Sequence, residues 1–343
     1  MTRISFKPKQ VTKRLLAVLP ERARDILTHR YGLGAQTEPL TLEAIGNTYG
    51  ITRERVRQIE NYALSTIRKS DALATEQAVF DELVRIIDEM GGIVSENELL
   101  KVLAKDHSTQ NYIHFLLVVG EPFKKKKEDA EFQHRWYVDE TFAERIHSAL
   151  RKLYTNLSDD DLVSEAELIS NFLEEVKDLN EQYKDEEIAR RWLSLSKTIG
   201  KNPLGEWGVS ASPNVRAKGM RDYAYLTIKR HGSPMHFTEV ARAISELFNR
   251  KAHVATCHNE LIKDARFVLV GRGLYALSEW GYSAGVVKDV IKEILRKQGP
   301  LTRDQIISRV KKERYVKDNT ILVNLQDSKT FVKDKDGKYR LAE

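Results

Sequence analysis

The stretch TLEAIGNTYGITRERVRQIENYALSTI, residues 41–67, decides how the N-terminal part of this 343-residue chain folds. Thr41 can cap a first helix with Leu42 and Ile45 facing inward, and Gly50 stands where a helix ends on a left-handed residue. Ile51 plugs the turn that follows, and Thr52 caps a second helix. The inward stripe of that helix is Val56, Ile59, Ala63 and Ile67, at spacings of 3, 4 and 4. The pattern predicts helix, tight turn, helix. It leaves Arg53, Glu54, Arg57 and Gln58 together on an outward face at the start of the second helix. The start of such a helix is the part that reaches base edges in a major groove. Arginine can bond guanine through two donors, glutamine can bond adenine, and glutamate can accept from cytosine. A solvated ion-pair face accommodates the same residues. Arg53 and Arg57, like charges four residues apart, nevertheless cost free energy without an anionic partner.

The surrounding motifs sharpen this reading. Leu19-Pro20-Glu21-Arg22, Arg30-Tyr31-Gly32-Leu33, Thr41-Leu42-Glu43-Ala44-Ile45-Gly46, Ile51 through Glu60, and Ala63-Leu64 resemble region 4 of primary-type bacterial sigma factors, over residues 15–69. In that family region 4 reads the minus-35 promoter element and sits on the flap of the RNA polymerase beta subunit. By position, the resemblance implies base contacts from Arg53, Glu54, Arg57 and Gln58, and backbone contacts from Arg22, Arg30, Thr41, Leu42 and Arg55. It assigns the helix around Leu15 to Leu27 to the flap surface. Only 14 residues precede the motif. The sigma regions that bind the polymerase clamp, recognise the minus-10 element and melt DNA are therefore expected to be missing, which suits a regulator that borrows the region 4 surface.

Charge is distributed in blocks. Residues 1–70 carry a formal +7, residues 71–140 carry −7, residues 141–209 carry −5, and the segments 210–282 and 283–343 carry +5 and +6. Phosphate binding needs local positive excess, so both ends qualify and the acidic middle does not. The most apolar runs, such as Tyr112 to Val119, fall far short of the roughly 20 residues needed to span a bilayer. No apolar signal core follows the basic N-terminus, so a cytoplasmic, nucleoid-associated protein with no membrane contact is expected. A single cysteine, Cys257, excludes an internal disulfide and a multi-cysteine zinc site.

From residue 76 onward a repeat is visible. Four times an amphipathic helix is followed by an apolar pair, a hydroxyl residue, a helix-start segment, a more polar helix, and a closing aromatic-containing strand. The hydroxyl residues are Ser95, Ser164, Thr238 and Thr302, each expected to cap a helix. The closing strands begin at Trp136, Trp207, Tyr275 and Tyr339, which lie 41, 43, 37 and 37 residues later. Each interval holds two helices and a hairpin, and Lys335-Asp336-Gly337-Lys338 reads as a hairpin turn. This is the winged-helix order. The expected fold class is mainly α, a helix-turn-helix domain followed by tandem winged-helix (α+β) units. The expected division is 1–70, 76–140, 141–209, 217–282 and 284–343.

In the third unit, residues 221–282, including Phe237-Thr238-Glu239-Val240-Ala241 and the run from Phe267 to Gly281, resemble the HARE-type winged helix of the bacterial RNA polymerase delta subunit. Delta subunits end in a long acidic tail that residues 283–343 do not resemble, so a delta-like effect on nucleic-acid release is not expected. Winged helices use the third helix and the wing for DNA, though many dock proteins. Unit three offers Arg250, Lys251, His253, Thr256, His258 and Asn259, with Arg266 and Arg272 in the wing. Unit four offers Lys311, Lys312, Arg314, Lys317 and Asn319. These residues fit a secondary DNA contact and a solvated basic face equally well. Units one and two look like spacers or protein contacts.

Catalytic readings find little support. Glu175-Val176-Lys177 with Asp161 has the residue types of metal-dependent nucleases, but charged helices carry such triplets commonly. His253, Cys257 and His258 lie on one short polar segment without a third orienting group. No phosphate-cradling glycine-rich loop precedes a Lys-Ser/Thr pair. No enzyme, no cofactor and no metal site are expected. The expected partners are double-stranded promoter DNA and RNA polymerase core through its beta flap. The other reading is a polymerase-associated interaction scaffold, or a sigma antagonist, with little sequence-specific DNA binding.

Overall fold

The computed structural model describes residues 4–282 and 285–342. Helices dominate and the sheets are small and antiparallel. The chain divides into two compact units, one of residues up to 200 with 207–210, the other of 201–206 and residues from 211 onward. Among the described residues no helix is long and apolar enough to cross a membrane.

The first unit begins with α1 (Pro8–Leu16), α2 (Glu21–Tyr31), α3 (Leu42–Tyr49) and α4 (Arg53–Arg68). Local chemistry sets the α3–α4 turn. The Thr41 hydroxyl accepts from the Ala44 amide at 3.1 Å, and the Thr52 hydroxyl accepts from the Arg55 amide at 3.2 Å. Each satisfies an orphan donor at a helix start. Gly50 ends α3 at φ +65°, and the Ile51 amide donates back to the Gly46 carbonyl at 2.9 Å. A Cβ on Gly46 would stand 2.6 Å from the Ile51 carbonyl oxygen, so the turn closes only over glycine. Fully buried Ile26, Ile45 and Val56 pin α2, α3 and α4 together.

After α5 (Asp71–Thr75) come α6 (Gln77–Glu89), β1 (Ile93–Ser95), α7 (Glu96–Leu103), α8 (His107–Val119), β2 (Lys124–Lys126) and β3 (Arg135–Tyr137). The closing strand β3 lies between β1 and β2, with Trp136 opposite both Val94 and Lys125. The expected break between residues 70 and 76 does not interrupt the core. One buried cluster joins Val11, Leu15, Leu27 and Ile67 to Phe80, Leu83, Ile113, Phe115 and Leu116. The Arg68 guanidinium donates to the Val118 and Val119 carbonyls at 2.7 and 3.1 Å, and Arg14 pairs with Glu76. This continuity has a physical cause. α1 and α2 are too short to bury their apolar stripes on each other, so both pack against α8.

A second passage of the same order follows: α9 (Glu140–Thr155), an isolated Val163–Trp207 bridge, α10 (Glu165–Glu175), α11 (Glu186–Leu195), β4 (Ile199–Lys201) and β5 (Trp207–Val209). Trp192 of α11, fully buried, donates its indole N–H to the Gly91 carbonyl at 2.9 Å.

The second unit holds two more passages. One is α12 (Met220–His231), β6 (Met235–His236), α13 (Phe237–Phe248), α14 (Val254–Lys263), β7 (Phe267–Gly271) and β8 (Leu274–Leu277). The other is α15 (Val287–Gln298), β9 (Leu301–Thr302), α16 (Arg303–Glu313), α17 (Asp318–Leu325), β10 (Phe331–Lys333) and β11 (Lys338–Leu341). In both sheets the last strand is again central. Ser95, Ser164 and Thr302 cap their helices by accepting from the Glu98, Glu167 and Gln305 amides. Thr238 does not. His236, where β6 ends, is the N-cap of α13, and its imidazole accepts from the Thr238 amide, which places Thr238 inside the first turn.

Candidate nucleic-acid interface

Arg53, Glu54, Arg57 and Gln58 are all exposed on the first two turns of α4, while Val56 on the opposite face is fully buried. The helix is thus held from behind with its charged face open. Glu54 and Arg57 are locked together by two hydrogen bonds of 2.7 and 2.9 Å, and Arg55 donates to the Gln58 amide oxygen at 3.1 Å. The Arg57 partnership lowers the pKa of Glu54, so this carboxylate stays ionised and acceptor-only. The face therefore presents a preformed Glu54–Arg57 fork beside Arg53, an arrangement of donors and acceptors able to meet base edges.

The residues expected at the phosphate backbone divide. Arg22 and Arg55 are exposed, and Thr41 is exposed at the start of α3. Leu42 is half-buried against Ile45 and Val56, which leaves the N-terminal amides of α3 as the polar groups there. Arg30 is half-buried and directed inward. It donates to the Leu40 carbonyl at 3.0 Å and lies 3.4 Å from Glu60, a buried carboxylate of α4 that also accepts from Tyr31 at 2.9 Å. The Arg-Tyr pair of the motif thus ties α2 to the recognition helix. Sequence reasoning did not single out Glu60; a lone acid on the inward side of α4 is the signal that could have found it.

The apolar face assigned to the polymerase flap is covered. Leu15, Leu19 and Leu27 are buried in the cluster shared with α8, while Ala17 and Val18 remain exposed at the end of α1.

In the second unit Arg250, Lys251 and His253 are exposed immediately before α14, Asn259 is exposed on it, and Arg272 is exposed at the β7–β8 turn. The Arg250 guanidinium lies 4.8 Å over the Tyr223 ring. Lys311 and Lys312 are exposed on the last turn of α16, where Lys311 pairs with Asp318 at 2.5 Å. Two further expectations are corrected. Arg266 is held by Asp264 and Asp222, at 2.7 and 3.0 Å, so it braces the fold. Arg314 is buried and donates to the Leu269 and Gly285 carbonyls.

The candidate catalytic groups are engaged otherwise. Glu175 pairs with Lys152 and Lys177 with Glu174, on an exposed helix end. Burial pushes the Cys257 thiol up to about 11, far from a thiolate at neutral pH, and His258 stacks on Phe237. Among the described residues no group of three His, Cys, Asp or Glu side chains is placed to hold a metal ion.

Comparison with known proteins bears on one part of the chain. The RNA polymerase sigma factor RpoS of Coxiella burnetii is 50% identical over 56 residues, which is 16% of this chain and 16% of that protein. The chain thus spans about a sixth of the length of that relative. The segment from the second half of α1 to the end of α4, residues 15–69, matches the family described as Sigma-70, region 4.

Proposed function

We propose that this protein is a sequence-specific DNA-binding transcription regulator that engages minus-35-like promoter DNA through α4, together with RNA polymerase. The observation that carries the reading is the exposed Arg53, Glu54, Arg57 and Gln58 face on a helix packed from behind, within the segment that matches Sigma-70, region 4. On this reading Arg22, Arg55 and the amides at Thr41 and Leu42 meet phosphates, and Arg30 acts indirectly by holding Glu60. The four passages of helix, strand, helix, helix and two strands serve as tandem winged helices, the third of them HARE-type. Arg250, Lys251, His253, Asn259, Arg272, Lys311 and Lys312 form secondary DNA contacts. A polymerase contact would fall to Ala17 and Val18, since the rest of the apolar α1–α2 face is buried.

The test is affinity purification of the tagged protein from its host, followed by footprinting of the isolated protein on the DNA it occupies there. Polymerase core in the eluate and protection of a minus-35-like site support the reading. A second reading, an interaction scaffold or sigma antagonist, is favoured by one observation. The third helix of the first passage, α8, is covered by protein contacts along most of its length rather than exposed for DNA. Polymerase without a sequence-preferring footprint would establish it. A DNA reader also loses affinity steeply as salt rises, whereas an apolar protein contact does not.

A further inference from the structure

A cavity of about 410 Å³ opens between α1 and α2 and is lined on a further side by Tyr112 of α8. Lys9, Thr12, Lys13 and Leu16 line it from one face of α1, and Arg24 lines it from α2. Its charge is unbalanced. Among the described residues neither Lys9 nor Lys13 has an ionic partner, although they stand four residues apart on the same helix, and no carboxylate lines the cavity. Arg24 donates to the Leu16 and Leu19 carbonyls, so its charge also remains uncompensated. On the opposite side of α1 the comparable cation, Arg14, is paired with Glu76.

A second observation points the same way. Thr12 lines the cavity and is 1% exposed, yet its hydroxyl has no hydrogen-bond partner. A buried hydroxyl without a partner is costly and calls for an explanation such as a ligand. Leu16 and Tyr112 supply apolar wall next to these polar groups, the composition of a small-molecule site.

We propose that this cleft binds a small soluble anion with a carboxylate or phosphate head and a short apolar body. The head lies between the Lys9 and Lys13 ammonium groups and accepts from the Thr12 hydroxyl, while the body rests on Leu16 and Tyr112. The site is independent of the DNA-binding reading, and its test uses no DNA.

The full chain is titrated calorimetrically with octanoate and octyl phosphate below their micelle-forming concentrations, with octanol and inorganic phosphate as the separated halves. Saturable one-site binding of the two amphiphilic anions is expected, with octanol silent and inorganic phosphate weaker. Lys9→Gln with Lys13→Gln, both on the surface, should weaken binding at least about tenfold, one lost charge-assisted contact being enough for that factor. Thr12→Val should weaken it by a similar factor and, by removing the unpartnered hydroxyl, raise the thermal midpoint of the unliganded protein. Those opposite signs separate a ligand contact from a purely structural role. Binding that survives either substitution, or no saturation by either anion at millimolar concentration, overturns the proposal. Co-sedimentation with phosphatidylglycerol vesicles that the double lysine variant abolishes would also overturn it, by placing the head group on a lipid surface.

Discussion

Tyr112 of α8 donates its hydroxyl to the Leu33 carbonyl at 2.6 Å, and so fastens the loop after α2 to a helix some eighty residues further along the chain. Its neighbour Asn111 donates from one amide nitrogen to the Gly32 and Thr37 carbonyls, at 3.1 and 2.6 Å. The helix-turn-helix segment is therefore folded onto the next passage. A fragment ending at residue 75 would expose the faces of Leu15, Leu27 and Ile67 that α8 covers. It should bind a hydrophobic dye and melt without cooperativity, whereas residues 1–210 should melt in one transition. In the intact chain Asn111→Ala should cost about 2 kcal/mol, because it leaves two carbonyls without their donor. A dye-silent, cooperatively melting short fragment would show that the shared core is dispensable.

Gly46 makes a sharper local prediction. A methyl group added there would meet the Ile51 carbonyl oxygen at 2.6 Å, so Gly46→Ala forces the α3–α4 turn apart. A loss of roughly 1–3 kcal/mol is expected, typical of overpacking. Gly50→Ala is different, because nothing lies within 4 Å of the added carbon and only its φ of +65° penalises the change. A loss of about 1 kcal/mol is expected there. Chemical denaturation of both variants checks the order; equal losses would mean that backbone conformation, not the close approach, sets the cost.

On DNA, Arg57→Ala and Arg55→Ala should behave differently. Arg57 is presented as a fork with Glu54, so its removal should cost roughly 1–3 kcal/mol on the preferred site and relax discrimination at one position. Arg55, assigned to phosphate, should weaken all sequences alike and reduce the salt slope by about one. Glu54→Gln should act like Arg57→Ala in part, by releasing the fork. Competitive binding to randomised duplexes at two salt concentrations distinguishes these outcomes. Retained sequence preference in Arg57→Ala would remove it from base readout.

The local devices of the fold were legible because they are short-range. Thr41, Thr52, Gly50 and the Val56, Ile59, Ala63, Ile67 stripe declare caps, turn and inward face within one or two helical turns. The repeated order of elements was legible for the same reason. What was hidden depends on distant partners. Arg30, read as a surface cation, turns inward because Glu60 and the Leu40 carbonyl lie beside it. Arg314 looks available in the sequence, yet the Leu269 carbonyl, 45 residues away, accepts from it. α8 has apolar residues nearly all round, which marks burial, but nothing in its sequence says that α1 and α2 supply the cover. The same reasoning explains Thr238. A histidine is an uncommon cap, and only the place where β6 ends shows that His236 takes that role.

Acid should destabilise the first unit through two histidines, one buried and one half-buried. His147 is 1% exposed, and its Nε2 accepts from the Arg135 Nε at 2.8 Å, which requires the neutral ring. Burial, with the Arg135 charge adding to it, pushes its pKa down to about 4. Burial likewise pushes His114, between Tyr31 and Trp136, down to about 4. An unfolded histidine titrates near 6.5, so as pH falls the unfolded chain takes up protons first. The histidine contribution is therefore complete above pH 6.5 and is lost progressively down to about pH 4, at up to roughly 1 kcal/mol per pH unit for each ring. Glu144, held at about 2 chiefly by its hydrogen bond to Arg151, loses its contribution only below its unfolded value near 4.5. Urea unfolding at pH 7.5, 6 and 5 should show the decline. His147→Gln keeps an acceptor for Arg135 but cannot titrate, and it should reduce the slope between pH 6.5 and 5 by about half. An unchanged slope in that variant would mean that the acid sensitivity arises elsewhere than at His147.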